Sequence, residues 1–302
     1  MKLVMICVAC LLMVIANPSF SEQRQSLGWG YLATNDLIGD TKDRWRTGAL
    51  AISYVRGPVW TGRLPARFGE LIEFRFRGEV IAPERLSAPA ANDRRYAGIL
   101  SFGAHSHWQS AGMEYTLGLD LVVVGPQTGL EGFQAQLHDI FGGPRPNVSN
   151  VELADAVYPT ITFEAARRFA MSEGTSIRPF VEAQAGAETM LRVGADMTIG
   201  GFATGALMVR EPSSGHRYQA VQRNRAKGIS LLLGADLAYV ADSRLLATPR
   251  VVKEEMRARL RLGYHRQWKR GSLYYGVTYL SEEFKSQREG QLLGTVSLRL
   301  RF

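Results

Sequence analysis

Over stretches of about ten residues, the chain alternates apolar and polar side chains one by one, between clusters of Gly, Pro and charge. In 257–265, Ala258, Leu260, Leu262 and Tyr264 share one face, and Arg257, Arg259, Arg261 and His265 share the other. The C-terminal stretch sets Leu292, Gly294, Val296, Leu298, Leu300 and Phe302 against Thr295, Ser297, Arg299 and Arg301. Further stretches fall at 26–34, 48–56, 70–81, 96–108, 115–124, 158–169, 177–188, 196–208, 229–240 and 272–280. Three arginines on one strand face need water or partners. A barrel lumen supplies both, while lipid receives the oily face. The pattern predicts an all-β fold, a transmembrane antiparallel β-barrel of about 12 strands, whose even number brings both ends to the periplasmic side. An aromatic final residue fits the last strand of such a barrel.

Long links are then expected outside, at 35–47, 82–95, 125–157, 188–195, 241–256 and 281–291, and short turns inside, at 57–69, 109–114 and 267–271. The link 209–228 is long for a periplasmic turn, and 196–208 is the weakest strand of the set. Trp268, Tyr264, Tyr274, Tyr275 and Tyr279 cluster near strand ends, as in an aromatic girdle, although ordinary core packing gives the same cluster.

At 46% hydrophobic and 21% charged residues, composition is that of a folded chain, and no linker or solenoid repeat divides it. Lys2, the apolar run 3–16 and the exit Ser19-Phe20-Ser21 mark residues 1–21 as a signal peptide, leaving 22–302 as one barrel domain. Both cysteines, Cys7 and Cys10, leave with it, which excludes thiol catalysis and cysteine zinc sites. Later stretches are too short of apolar residues for a membrane helix. The net charge of +8 does not indicate nucleic-acid binding, because the arginines alternate into a lumen instead of forming a patch. Lipopolysaccharide phosphates are the better partner for it.

One outer link breaks the alternation. In 126–141, PQTGLEGFQAQLHDIF, Leu130, Phe133, Leu137, Ile140 and Phe141 follow helical spacing, so a short amphipathic helix is expected in an extracellular loop. Gln134 and His138 share a side of it, so His138 can reach the barrel mouth, although a surface histidine on a loop helix is the plainer reading. Asn35-Asp36 offers an amide and a carboxylate to a cation or a polarised water, or merely forms a turn. Thr47 closes the same link with a hydroxyl for a ligand or a turn. DRRYAG at 93–98 reads as a loop-shaping Asp-Arg pair. His105 and His107 form an H-x-H pair that could hold a metal, away from the other clusters.

Taken together, Asn35-Asp36, DRWRTG at 43–48, DRRYAG at 93–98, VGPQTGLEGFQAQLH at 124–138, RPF at 178–180, EFKSQ at 283–287 and the final LRLRF make the sequence similar to the outer-membrane lipid A 3'-O-deacylase family. The resemblance implies a twelve-stranded barrel in the outer membrane, with an active site at its outer rim facing the leaflet that holds lipopolysaccharide. It also implies calcium-dependent hydrolysis of the 3'-linked acyloxyacyl ester of lipid A; the protein itself is expected to be a monomer. His138 matches the family's catalytic histidine and would act as general base, removing a proton from water as it attacks the ester, and Asn35, Asp36 and Thr47 match its other active-site positions. Asp36 would hold Ca²⁺ or orient the histidine, and Asn35 and Thr47 would position water or meet the oxyanion. The family's lysine on an early strand is absent from EFRFRGEVIAP at 73–83, where Arg77 shares a face with Glu73, Arg75 and Glu79 and is the candidate substitute. Two alternatives remain. One is a phospholipase-type barrel with a serine nucleophile, for which no G-x-S-x-G element is present. The other is a passive barrel, channel or structural, in which the arginine-lined lumen is an anion path.

Overall fold

The computed structural model describes residues 24–141, 147–222, 227–246, 248 and 250–300. The expected signal peptide and the terminal Arg301-Phe302 lie outside them. In chain order the strands are β1 (Gln25–Asn35), β2 (Trp45–Gly57), β3 (Ile72–Ala82), β4 (Ala97–Ser110) and β5 (Met113–Val124), then helix α1 (Leu130–Phe141). There follow β6 (Ala156–Ala166), β7 (Phe169–Ser172), β8 (Thr175–Ala185), β9 (Glu188–Ile199), β10 (Leu207–Arg210) and β11 (Arg217–Val221). The last four are β12 (Gly228–Ser243), β13 (Met256–Trp268), β14 (Gly271–Leu280) and β15 (Gln291–Leu300).

Twelve of these close into one antiparallel barrel. Neighbours in sequence pair, β6 reaches past β7 to β8, β9 pairs with β12, and β1 meets β15. The ring closes where Ala33, Thr34 and Asn35 of β1 pair with Val296, Thr295 and Gly294 of β15, joining the two edges that lipid could not hydrogen-bond. The links after β1, β3, β5, β12 and β14, with α1 in the third, lie at one rim, called here the helix rim, as does the short turn after β8; the links after β2, β4, β9 and β13 start from the other, the turn rim. Phe68, Trp108, Tyr115 and Phe163 form a chain of ring contacts near the turn rim. Of the expected girdle residues, Tyr275 and Tyr279 face outward, but Tyr274 is buried in the lumen against His216, because neighbours on a strand face opposite ways.

The alternation sorts lipid face from lumen as expected. Leu260 and Leu262 are exposed on the outer wall, whereas Arg259 and Arg261 are buried inside. The arginines there are paired. Asp236 stands opposite Arg259 in register, accepts from its Nε at 2.9 Å, and also meets Arg261 and, at 3.2 Å, Arg192. Arg210 joins Glu164 and Asp196, each at 2.8 Å. His107 lies 2.8 Å from Glu73, and His105 lies 3.2 Å from Asp120, so each member of the H-x-H pair has its own carboxylate. No group of three or more His, Cys, Asp or Glu placed to hold a metal occurs among the described residues.

The weakest strand is where expectation and structure part. The strand lies at Glu188–Ile199, so 188–195 is wall and not an outer link, and the turn before it is only Gly186-Ala187. Met190 and Gly194 on the lumen face blur the polar half of the pattern. The apolar run that follows belongs elsewhere: β10 and β11 form a hairpin inside the barrel, the misfit long link. Phe202, Leu207, Val209, Tyr218 and Ala220 of this link pack on Leu32, Ala51, Val55, Leu71 and Tyr274 of the wall. At the helix rim Leu245 packs with Ile81, Ile99, Val122 and Ala187. Between these two apolar layers lies a charged cavity of about 140 Å³.

Removing Asp236 would leave the buried Arg259 without a carboxylate, beside Arg192 and Arg261, which keep Glu182 and Asp196. Asp236→Ala is expected to cost about 3–5 kcal/mol, the usual penalty of stranding a buried charge. The measurement is the urea midpoint of the refolded barrel in detergent; an unchanged midpoint would contradict this reading of the lumen.

Candidate active site

The wall ends at Asn35, and the chain turns at once. Asn35 Oδ1 accepts the Leu37 N–H at 2.8 Å, and the Asp36 carbonyl accepts the N–H groups of Gly39, Asp40 and Thr41 at 2.8, 2.9 and 3.2 Å. The Asp36 N–H donates to the Thr47 carbonyl at 3.1 Å, and Asp36 Oδ2 accepts the Arg44 N–H at 2.7 Å. The link is thus wound around one carboxylate.

Its return into β2 is strained. Thr41 and Trp45 adopt left-handed φ of 63° and 50°, which side chains with a Cβ rarely take. Trp45 is held there by burial against Leu246, Val251 and Phe284, with the Arg44 guanidinium 4.0 Å over its ring. Arg44 in turn joins Glu289 at 2.7 Å and Asp40 at 3.3 Å. A shift of register between Arg46 and Gly48 then leaves Thr47 without a partner residue on β3.

Helix α1 comes to this link from the far side of β4. Gly129, left-handed at φ 69°, follows the turn Pro126–Thr128 and starts the helix. Gly98 belongs to the outward face of β4, with Leu100 and Phe102, and a Cβ built on it would stand 2.3 Å from Thr128 Oγ1 and 2.8 Å from Leu130 Cβ. Only glycine lets the helix lie this close, so α1 rests on the outside of the barrel wall. Tyr96, just before β4, donates from its hydroxyl to Gln134 Oε1 at 3.0 Å, and Gln134 Nε2 donates to Asp43 Oδ1 at 3.4 Å. Asp43 Oδ2 lies 2.9 Å from His138 Nε2. The fourfold spacing of Gln134 and His138 points both at the same carboxylate.

Burial pushes the Asp36 carboxyl up to about 9, opposed by the Arg44 N–H and reinforced by Asp43 and Asp40. Burial also raises Asp43, while His138 and the Thr47 hydroxyl favour its charge. That hydroxyl faces Asp43 without making a hydrogen bond of normal geometry, and Thr47 Oγ1 and Asp36 Oδ1 are both buried without a hydrogen-bond partner. The arrangement therefore combines a histidine held by a carboxylate, a second carboxylate with an unused oxygen, and an unused hydroxyl.

The family model for outer membrane protein LpxR matches residues 3–302. The chain belongs to the LpxR family. Among solved structures, LpxR from Salmonella typhimurium superposes with a TM-score of 0.75 at 17% identity, covering 91% of this chain and 100% of that one, a likeness of fold. The β domain of the Bordetella autotransporter BrkA has a TM-score of 0.44 at 11% identity, covering 91% of this chain and 100% of that one. The translocator domain of NalP from Neisseria meningitidis has 0.38 at 8%, covering 98% and 96%. No curated protein matches significantly by sequence. This LpxR-family barrel is an outer-membrane protein.

Of the residues singled out in the sequence, the LpxR-family fold brings together Asn35, Asp36 and Thr47, and links His138 to them through Asp43. It does not bring Arg77. That residue pairs with Ala51 on β2, four positions from Thr47 and deeper in the lumen, and meets Glu79 and, at 3.0 Å, Ser213 of the inner hairpin link. Its face was legible, but its depth was not. Asp43, Gln134 and Tyr96 lay within the matching motifs without a role. Their signal was the carboxylate four residues before Thr47 and the helical spacing of Gln134 and His138, which meet only once α1 is laid on the wall.

Gly98→Leu is expected to lift α1 from the wall without opening the barrel. Chymotryptic cleavage after Phe133 and Leu137 should become faster while heat-modifiable migration is kept; unchanged cleavage would contradict the close approach at Gly98.

Proposed function

We propose that this protein is an outer-membrane esterase that hydrolyses the 3'-linked acyloxyacyl ester of lipid A, with His138 as general base. The observation that carries the reading is the 2.9 Å pairing of His138 Nε2 with Asp43, on the outside of the wall and beside Asp36. Family membership adds to it. In this reading the imidazole takes a proton from water as the water oxygen attacks the ester carbonyl, and Asp43 stabilises the imidazolium formed. Collapse of the tetrahedral intermediate breaks the bond to the 3'-oxygen, which receives the proton. The products are a free 3'-hydroxyl and the acyloxyacyl acid. Asn35 and Thr47 supply hydrogen bonds to the developing oxyanion. Gln134 and Tyr96 fix the carboxylate that fixes the base. Arg77 is assigned to holding the inner hairpin, not to the reaction.

A hard cation fits at Asp36 on two grounds: Oδ1 is buried and unpaired, and Asp40 and Asp43 add negative charge nearby. Since no three carboxylates or imidazoles converge among the described residues, Asp36 would hold it with water and substrate oxygens completing the shell. Bound there, calcium would polarise the ester carbonyl. The channel alternative is not favoured, because lumen arginines such as Arg210 and Arg259 are paired with carboxylates and the hairpin fills one end.

Incubation of the refolded protein with lipid A, read by mass spectrometry, tests this function. Loss of the 3'-linked group with calcium, and its retention with chelator or in His138→Ala, is the expected result. Intact lipid A from a folded wild-type barrel would refute it.

Asp36 also predicts a pH dependence. Its raised value means that the folded state keeps a proton which the unfolded chain releases near pH 4. The stability contributed is complete below that pH and is lost as pH rises through about 9. Calcium binding at pH 7.5 should therefore displace about one proton, measured by calorimetry in buffers of different ionisation enthalpy. Asp36→Asn should abolish both binding and proton release; calcium binding without release would contradict the assignment.

A further inference from the structure

Two apolar projections stand on the outer wall, one on each side of the candidate site. The first is Leu37-Ile38, next in sequence to Asn35-Asp36, with the side chains 58% and 42% exposed. The second is the outer stripe of α1, where Phe133 is 55% and Ile140 72% exposed. In water these positions would be costly, and both sets run against the usual polarity of loop residues.

The first projection does not rise from the rim but folds back along the wall. Gly294 lies on the outward face of β15, with Leu292 and Leu298, and a Cβ built on it would stand 2.2 Å from the Ile38 carbonyl oxygen. The outward Tyr275 donates from its hydroxyl to the same oxygen at 2.9 Å. Leu292 and Tyr279, nearer the helix rim than Gly294, are themselves exposed to the outside. Ile38 is therefore seated at a level where the wall is already apolar. On the other side α1 meets the wall at Gly98, on the outward face that also carries Leu100 and the exposed Phe102, while its own Phe133 and Ile140 stay exposed.

We infer that Leu37-Ile38 and the Phe133/Ile140 stripe of α1 are two membrane-inserted lips, whose partner is the acyl layer of the surrounding leaflet. Both are continuous with the lipid-facing wall. They seat the polar groups between them, Asp36, Thr47 and the Asp43–His138 pair, at the boundary of acyl chains and headgroups. The Asx turn from Asn35 to the Leu37 N–H couples the first lip directly to the site. The inference concerns the membrane contact and stands apart from which ester is cleaved.

The test uses the chain beginning at Glu22, which contains no cysteine, so that one introduced thiol carries one nitroxide label. Leu37→Cys and Phe133→Cys are reconstituted in phospholipid vesicles, with Leu262→Cys as the wall reference and Arg288→Cys as the exposed loop reference. Collision of the label with oxygen and with a water-soluble nickel chelate is measured by electron paramagnetic resonance. The expected result is high oxygen and low nickel access at both positions, as at Leu262. Nickel access matching Arg288 at either position overturns the inference. If either variant fails to show the heat-modifiable migration of a folded barrel, Ile38→Cys or Ile140→Cys replaces it on the same lip.

Discussion

Lipid offers nothing to a backbone N–H or C=O, and that constraint organises this molecule from the wall inward and outward. The sheet must close, so β1 meets β15 and β6 reaches past β7 to β8. Closure gives every strand one face in lipid and one in a narrow lumen, and the lumen must then satisfy whatever charge it receives. It does so with carboxylates placed in register with arginines, Asp236 opposite Arg259 being the clearest case, and with a hairpin that brings its own apolar core. The interior is consequently committed to holding itself together. The site we propose lies instead at the rim, against the outer wall.

The rim meets that demand with backbone devices that a uniform barrel lacks. Left-handed Trp45 and the register shift at Thr47 break the regular end of β2, and glycine at 98 brings a helix onto the wall. Their joint effect is one contact, between Asp43 of the first link and His138 of the third. Neither residue could reach the other if α1 stood above the mouth or if β2 ran straight into its turn. The raised value of Asp36 belongs to the same picture: a carboxylate buried beside two others keeps a place for a proton or a cation.

Most of the wall was legible because lipid enforces a strict period of two. Where the lumen face itself carried Met190 and Gly194, the period lost contrast, and the strand was expected several residues too late. The inner hairpin was visible only as a link too long for its side of the barrel, since its apolar residues look like wall until something encloses them. His138, Asp36, Asn35 and Thr47 were singled out by their motifs, and the fold carries all four to the helix rim. Asp43 carried only the faint signal of a carboxylate four residues before Thr47, because its contact with a distant side chain appears only in the fold. Arg77 shows the opposite limit: alternation placed it correctly in the lumen with Glu79, and said nothing of its distance from the rim.

The account turns on Asp43 and His138 acting as one unit, and a kinetic double-mutant cycle tests this directly. Initial rates of lipid A hydrolysis would be measured for the wild type, Asp43→Asn, His138→Gln and the double variant. Coupled residues lose function together, so the double variant is expected to be no slower than the slower single one. Losses that multiply would show that the two residues act independently, and the pairing across the outer wall would not be the basis of the site.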